Sequence, residues 1–523
     1  MRIETFKNYN AMHTWTGIVA GLFLYVCFLA GALTMFQTPL NRWVLQEDAS
    51  LPPIPEASYD TLIQQVLQRY PEAGADLLVH LPNAMPQSAP LTWLAEDPDT
   101  HVQTRWMASL DDNGRLLVER GSVSAAGEFL DQLHRTAGIP GHLGHESVGT
   151  LIMGLICGLY FLALVSGLIV FLPTWYSDFL TMRRGENRKR FWLDLHNILG
   201  LSALPFHIII ALTTFVFAFH DPIYGSLQKW VYGDSSMFGR PPVTDAPHDL
   251  TSLATVAELK EALYLLEPSL QPEELHFRRL NTPAPMVLVG GELPGDVQRG
   301  AEYTYAVAQP FTAEYGYLAQ LPSHGGGYGR AVNSFFALHL GNFGGNTTRW
   351  LYFFLGVSGA MVFLSGNVLW IEARRKRRRS VDGDRGERRD VRAMASLTAG
   401  VGAGTPLAIA AMLLAARLLP HEQLPIEVWQ NGIYYVVFLG SVLWAFLRPP
   451  LTAAKELLWV LMALLVALLL VPLVWIAPVS GAPLASVAAT VVVLAMALGA
   501  TLYWLRLRAK KLPADSVWVC QGR

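Results

Sequence analysis

Eight apolar runs, each about as long as a bilayer is thick, constrain this chain more than any other feature. A helix crossing the hydrocarbon layer needs about 20 residues. Runs of that length cover residues 16–36, 148–172, 198–219, 350–371, 395–418, 428–446, 457–476 and 484–505, here spans one to eight. The chain is 52% hydrophobic and only 15% charged, where a soluble domain carries about a quarter. It reads as an integral membrane protein built on helices. The first run is too long for the apolar core of a typical signal peptide, so an uncleaved anchor is expected.

Lysine and arginine orient the spans. Arg183, Arg184, Arg188, Lys189 and Arg190 separate spans two and three. Arg374, Arg375, Lys376, Arg377, Arg378 and Arg379 follow span four, Arg448 and Lys455 separate spans six and seven, and Arg506, Arg508, Lys510 and Lys511 follow span eight. All four groups fall on one side if both termini are cytoplasmic. The basic runs are then topological signals rather than chemistry. Net charge is −2, so nothing points to nucleic acid.

The first 372 residues read as one unit used twice, and such self-similarity decides the architecture. Each unit runs histidine, outward span, outside segment, Leu-His pair, inward span, basic segment. The first has His13 and Leu133-His134, the second His196 and Leu338-His339. Val165-Ser166-Gly167-Leu168 closes span two as Leu364-Ser365-Gly366 closes span four. The organisation expected is residues 1–37, an N-terminal segment with span one; 38–132, a first outside module; 133–220, spans two and three; 221–333, a second outside module; 334–372, span four; 373–394, a basic linker; and 395–523, spans five to eight with a tail. The first module has a helical pattern at 59–69 and strand patterns at 77–81, 91–94 and 102–110. Asp111-Asp112-Asn113-Gly114 then turns a hairpin into 115–119. The second has a helical pattern at 252–266 and strands at 274–280, 286–289 and 302–308. A flexible, glycine-rich loop is expected over 314–330. Both modules read as small α+β units.

Histidine is costly in a bilayer, and an ionisable residue there is a functional candidate. His13, His134, His196 and His339 each sit at or just before an apolar run. Neutral imidazole is a usual ligand of haem iron. A boundary histidine on its own is ordinarily an interfacial residue; four in matched places suggest paired ligands. His13 and His196 open outward spans and suit one iron. His134 and His339 precede inward spans, among glycines, and suit a second. His207 lies eleven residues after His196, which on one straight helix is within about 20° of the same face and about 16.5 Å along it. Either the Leu-His segments fold back to the membrane, or His207 is a ligand at the outer site. His142, His145 and His220 are weaker boundary candidates, and His324, Tyr328 and Arg330 weak substrate contacts in the glycine-rich loop. Only Cys27, Cys157 and Cys520 are present, with no CxxC and no CxxCH. Thiol redox, structural zinc and iron–sulfur ligation are thereby disfavoured, and any haem is held non-covalently. No GxGxxG follows a strand, so electrons would come from a partner or a membrane quinol. Spans five to eight carry no histidine and, apart from Arg417 at the end of span five, no charge in their apolar runs, and read as a helical appendage.

At these residues the chain resembles the PepSY-associated transmembrane family of bacteria, which includes iron-regulated membrane proteins and siderophore reductases. The matching pieces are His13-Thr14-Trp15-Thr16-Gly17 with Gly31; Leu133-His134-Arg135; Leu195-His196-Asn197 with Ala203-Leu204-Pro205-Phe206-His207; and Leu338-His339 with Phe343-Gly344-Gly345 and Arg349-Trp350-Leu351-Tyr352. The resemblance covers roughly residues 1–372. It implies that the outside modules are PepSY domains in the periplasm and that the spans lie in the bacterial inner membrane. It also implies a haem-dependent reductase of ferric siderophores, which frees iron because Fe²⁺ binds hard oxygen donors more weakly than Fe³⁺. Two b-type haems on His13, His134, His196, His207 and His339 are the expectation. The rivals are a PepSY-domain sensor or peptidase regulator without enzymatic activity, and a transporter.

Overall fold

The computed structural model describes residues 3–474 except 46–50, 83, 85–88, 97–102, 122–124, 144–145, 184–187, 235–247, 295, 319–320, 322, 379–387 and 420–425; Gly499 and Trp518 are also described. Among the described residues seven helices are long and apolar enough to cross a membrane. Apart from Gly499 and Trp518, the eighth expected run and the C-terminal tail lie outside the described residues, as does His145.

In chain order, α1 (Ile3–Thr34) and α2 (Gln37–Leu45) precede α3 (Tyr59–Arg69). Strands β1 (Asp76–His80), β2 (Leu91–Glu96), β3 (Gln103–Leu110) and β4 (Leu116–Gly121) follow, then α4 (Ala126–Thr136). A two-residue hairpin, β5 (His142–Leu143) and β6 (Glu146–Ser147), leads into α5 (Val148–Phe171), a short α6 (Trp175–Asp178), α7 (Arg188–Ser202) and α8 (Leu204–Leu227). The second unit continues with α9 (Val256–Leu266), β7 (Gln271–Arg278), β8 (Met286–Glu292), β9 (Thr304–Ala308), β10 (Tyr315–Tyr317), α10 (Gly326–Leu340) and α11 (Gly345–Arg378). The appendage is α12 (Arg389–Leu418), α13 (Ile426–Leu447) and α14 (Pro450–Val474).

The strands of both outside segments form one antiparallel sheet, in the order β10-β9-β8-β7-β1-β2-β3-β4, where two separate modules were expected. The seam is β1 against β7, with Leu78 opposite His276. Each segment alone would leave a bare edge strand; pairing the two edges satisfies both. Leu77, Val79, Leu91, Leu275, Phe277, Val287 and Val289 are buried on one face, under Leu62 and Val66 of α3 and Leu259 and Leu263 of α9. Across the seam Asp76 pairs with His276. The Asp60 carboxylate accepts the Val256 N–H at 2.8 Å, tying one helix to the start of the other. The expected hairpin turn is present: Asp111 accepts from the N–H groups of Asn113 and Arg115, each at 2.8 Å, and Gly114 takes φ 73°.

Glycines bring the membrane helices together. A Cβ on Gly154 would stand 2.7 Å from the Cβ of Ala218, where α5 crosses α8, and one on Gly356 would stand 3.0 Å from that of Ala32, where α11 crosses α1. Gly400 and Gly404 of α12 do the same against Val442 and Ser441 of α13.

Two more expectations change. The segment 314–330 is not loop throughout, because α10 begins at Gly326, whose φ of 57° only glycine takes freely. The third span is two helices broken at Ala203. Pro205 sits in the first turn of α8, where its missing N–H costs nothing, and could not have continued α7. His196 and His207 therefore do not share one helix face. Of the two alternatives for the outer site, the structure has the Leu-His segments fold back: they lie on helices of their own, α4 and α10, packed against α1 and α8.

Candidate functional site

His13 of α1 and His196 of α7 face each other at the end of the bundle away from the sheet, with ring centroids 6.1 Å apart and planes at 69°. His13 Nδ1 donates to the Ala163 carbonyl of α5 at 2.8 Å. His196 Nδ1 lies 3.1 Å from the Val362 carbonyl of α11 and 3.1 Å from Ser365 Oγ. A carbonyl only accepts, so Nδ1 carries the proton and Nε2 keeps its lone pair. One turn beyond each carbonyl lies a glycine. A Cβ on Gly167 would come 2.8 Å from His13 Cε1, and one on Gly366 would come 3.4 Å from His196 Cε1. The repeated Ser-Gly pieces of spans two and four are thus seats for the two imidazoles. The basic residues nearby serve structure: Arg190 holds Asp178 at 2.8 Å and Asp194 at 3.2 Å.

The second pair lies at the sheet end. His134 of α4 and His339 of α10 have ring centroids 6.0 Å apart. His134 Nδ1 donates to the Cys27 carbonyl of α1 at 2.9 Å, and a Cβ on Gly31 would come 2.5 Å from that nitrogen. His339 Nδ1 is 2.8 Å from Thr213 Oγ1, whose own proton goes to the Ile209 carbonyl at 2.7 Å, so the imidazole donates here too. All four rings share one arrangement: Nδ1 anchored, Nε2 available. Such outer hydrogen bonds fix the tautomer and orientation of a metal-binding histidine. Cys27 lies fourteen residues along α1 from His13, which separates the two sites by about 21 Å of helix. Both His134 and His339 line a cavity of about 870 Å³ that opens below the sheet.

Among the described residues no group of three or more His, Cys, Asp or Glu could hold a bare metal ion. A lone imidazole pair leaves most coordination positions unfilled. It suits a metal that brings its own equatorial donors, as haem iron does. Ring centres 6.1 and 6.0 Å apart would leave room for one iron between the two imidazoles of each pair. The residues present fit such a group at both ends.

His207 joins neither pair. It is 1% exposed, its Nδ1 lies 2.6 Å from the Tyr160 hydroxyl, and its Nε2 has no hydrogen-bond partner among the described residues. Around it Phe28, Tyr160, Phe206 and Phe363 pack ring on ring; Phe28 and Phe363 are 5.1 Å apart. Phe28 follows Cys27, which anchors the sheet-end pair, and Phe363 follows Val362, which anchors the other. The residues that follow the two anchoring carbonyls, Phe28 and Phe363, are therefore in ring contact between the pairs. The sequence also left Tyr160 and Thr213 without a role, because nothing in their own segments sets them apart.

The weaker candidates scatter. His142 and His220 line the cavity, and His220 pairs with Asp221 at 3.0 Å. His324, next to Ser323, and Arg330 are exposed near the start of α10 and do not line it. Of Tyr328 only the backbone is described, within α10.

The model of the PepSY-associated TM region matches residues 11–373, well over half of the chain and all of both repeat units up to the end of span four. No curated protein matches the chain. The match begins just before His13 and ends within α11, so it takes in every histidine of the two pairs, and the chain belongs to the PepSY-associated transmembrane family.

Proposed function

We propose that this protein is a haem-dependent reductase of the inner membrane that passes electrons to a ferric siderophore, or another ferric chelate, in the periplasm. The observation that carries the reading is the double pairing of imidazoles, each ring with its Nδ1 anchored and its Nε2 left available. A regulator or transporter has no need of two such pairs. Haem bound at each pair would supply one-electron chemistry at a potential set by the imidazoles that hold it and by burial. His13 and His196 would hold the cytoplasmic group, His134 and His339 the periplasmic one. The donor, a quinol or a cytoplasmic reductase, would act at the inner site. The cavity below the sheet would admit the chelate, and the sheet would stand in the periplasm above it. One electron reduces Fe³⁺ to Fe²⁺, which hard oxygen donors release.

The test mixes dithionite-reduced protein with a ferric chelate while following haem reoxidation and Fe²⁺ trapped by a chromogenic chelator. Wild type should reoxidise with matching Fe²⁺. His134→Ala and His339→Ala should abolish fast transfer while keeping the cytoplasmic haem. Reduced haem that is inert to every ferric chelate would overturn the reading.

A further inference from the structure

Among the described residues, two arginines in the cavity of the sheet-end pair are left without an acid. Arg135 also lines it, but is held by Asp131 at 2.8 Å. Glu302 is held by the Thr38 hydroxyl, and Asp221 by His220. Arg299 and Arg349 are half-buried and have no carboxylate partner among the described residues. Buried or partly buried charges are normally paired.

Arg299 is held where it is. The Asn342 side-chain amide donates to the Gln298 carbonyl at 3.1 Å and to that of Gly300, pinning the loop on either side of Arg299. The Arg299 guanidinium then lies 4.8 Å from the centre of the Phe336 ring. Phe336 and His339 are three residues apart and share a face of α10. Phe217 contacts both, at 4.6 Å and 5.1 Å. The Arg299 charge is thus set about one helical turn outward from the histidine. Arg349 is in the first turns of α11, the end where the helix dipole disfavours a cation. Tyr352, one turn on, lines the same cavity and donates to the Leu338 carbonyl at 2.7 Å, tying α11 to α10 beside His339. A guanidinium presents two parallel N–H groups to a carboxylate.

We propose that Arg299 and Arg349 form a carboxylate-binding clamp in this cavity. It takes the propionates of a haem on His134 and His339, or the carboxylates of an arriving ferric chelate. The first source rests on the function proposed above; the second does not.

The test uses the full-length protein in lipid nanodiscs, with Arg299→Gln, Arg349→Gln and the double variant, and Arg299→Lys as the variant that keeps charge. Haem loss to an excess of apomyoglobin is timed after loading with haem or with haem dimethyl ester. Ferric citrate binding is measured by calorimetry. If propionates are clamped, haem leaves the double variant about tenfold faster or more, and the ester leaves wild type and variant equally fast. If the chelate is clamped, haem release is unchanged, and ferric citrate binds the double variant about tenfold more weakly. Should wild type take up no haem, the reductase reading falls and the citrate arm alone judges the clamp. Unchanged haem release together with unchanged citrate binding would overturn it.

Discussion

Gly31, Gly167 and Gly366 are as much a part of the site as the histidines they face. A methyl at Gly31 would meet His134 at 2.5 Å, at Gly167 would meet His13 at 2.8 Å, and at Gly366 would meet His196 at 3.4 Å. Contacts of that kind grade from impossible to ordinary. Gly31→Ala is therefore expected to displace the His134 ring and take haem content from about two to about one per chain. Gly167→Ala should act alike at the other site, and Gly366→Ala should leave content intact; pyridine haemochrome assay of the three proteins checks the order. His207 gives the converse test. It faces Tyr160 rather than another histidine, so His207→Leu should retain both haems and an unchanged low-spin spectrum. Loss of one haem would make His207 a ligand.

At the level of elements, the seam between β1 and β7 holds the two halves of the sheet together. The hydrogen bond from His276 keeps the Asp76 carboxyl below its ordinary range. A depressed carboxyl stabilises the fold above its unfolded pKa of about 3.9 and ceases to do so as pH falls through its lower folded value. Hydrogen exchange of the β1 and β7 amides should thus lose protection as pH drops below about 4. Asp76→Asn should lack that acid-dependent step. The strand and helix patterns of each module were readable because one face is buried, giving period two in β1, β7 and β8 and an apolar stripe in α3 and α9. Their union was not readable. Edge pairing is made of backbone hydrogen bonds between segments nearly 200 residues apart, and side-chain alternation is the same for a free edge and a paired one. Pro205 is a similar case. It was visible as a disruption, but whether it kinks one helix or divides two depends on how α7 packs against α11.

For the whole molecule, the repeat is what made the site legible. The matched positions of His13 with His196, and of His134 with His339, mark the residues that the fold brings face to face. The sequence did not show how the second pair reaches the membrane, since α4 and α10 return to it only by docking on α1 and α8. Nor did it mark Arg299 and Arg349, whose isolation from acids is a property of the cavity. The appendage remains attached through definite contacts, such as the Tyr25 hydroxyl donating to the Gly402 carbonyl at 2.6 Å, although the family match stops short of it. The central claim is that two imidazole pairs each hold one haem. It is tested most directly by a haem-to-protein ratio with reduced-minus-oxidised spectra of the purified full-length protein, set beside His13→Ala and His339→Ala. About two low-spin b-type haems per chain are expected, with the loss of one, at a different potential, in each variant. Protein expressed with ample haem that carries none, or that keeps two in both variants, would contradict it.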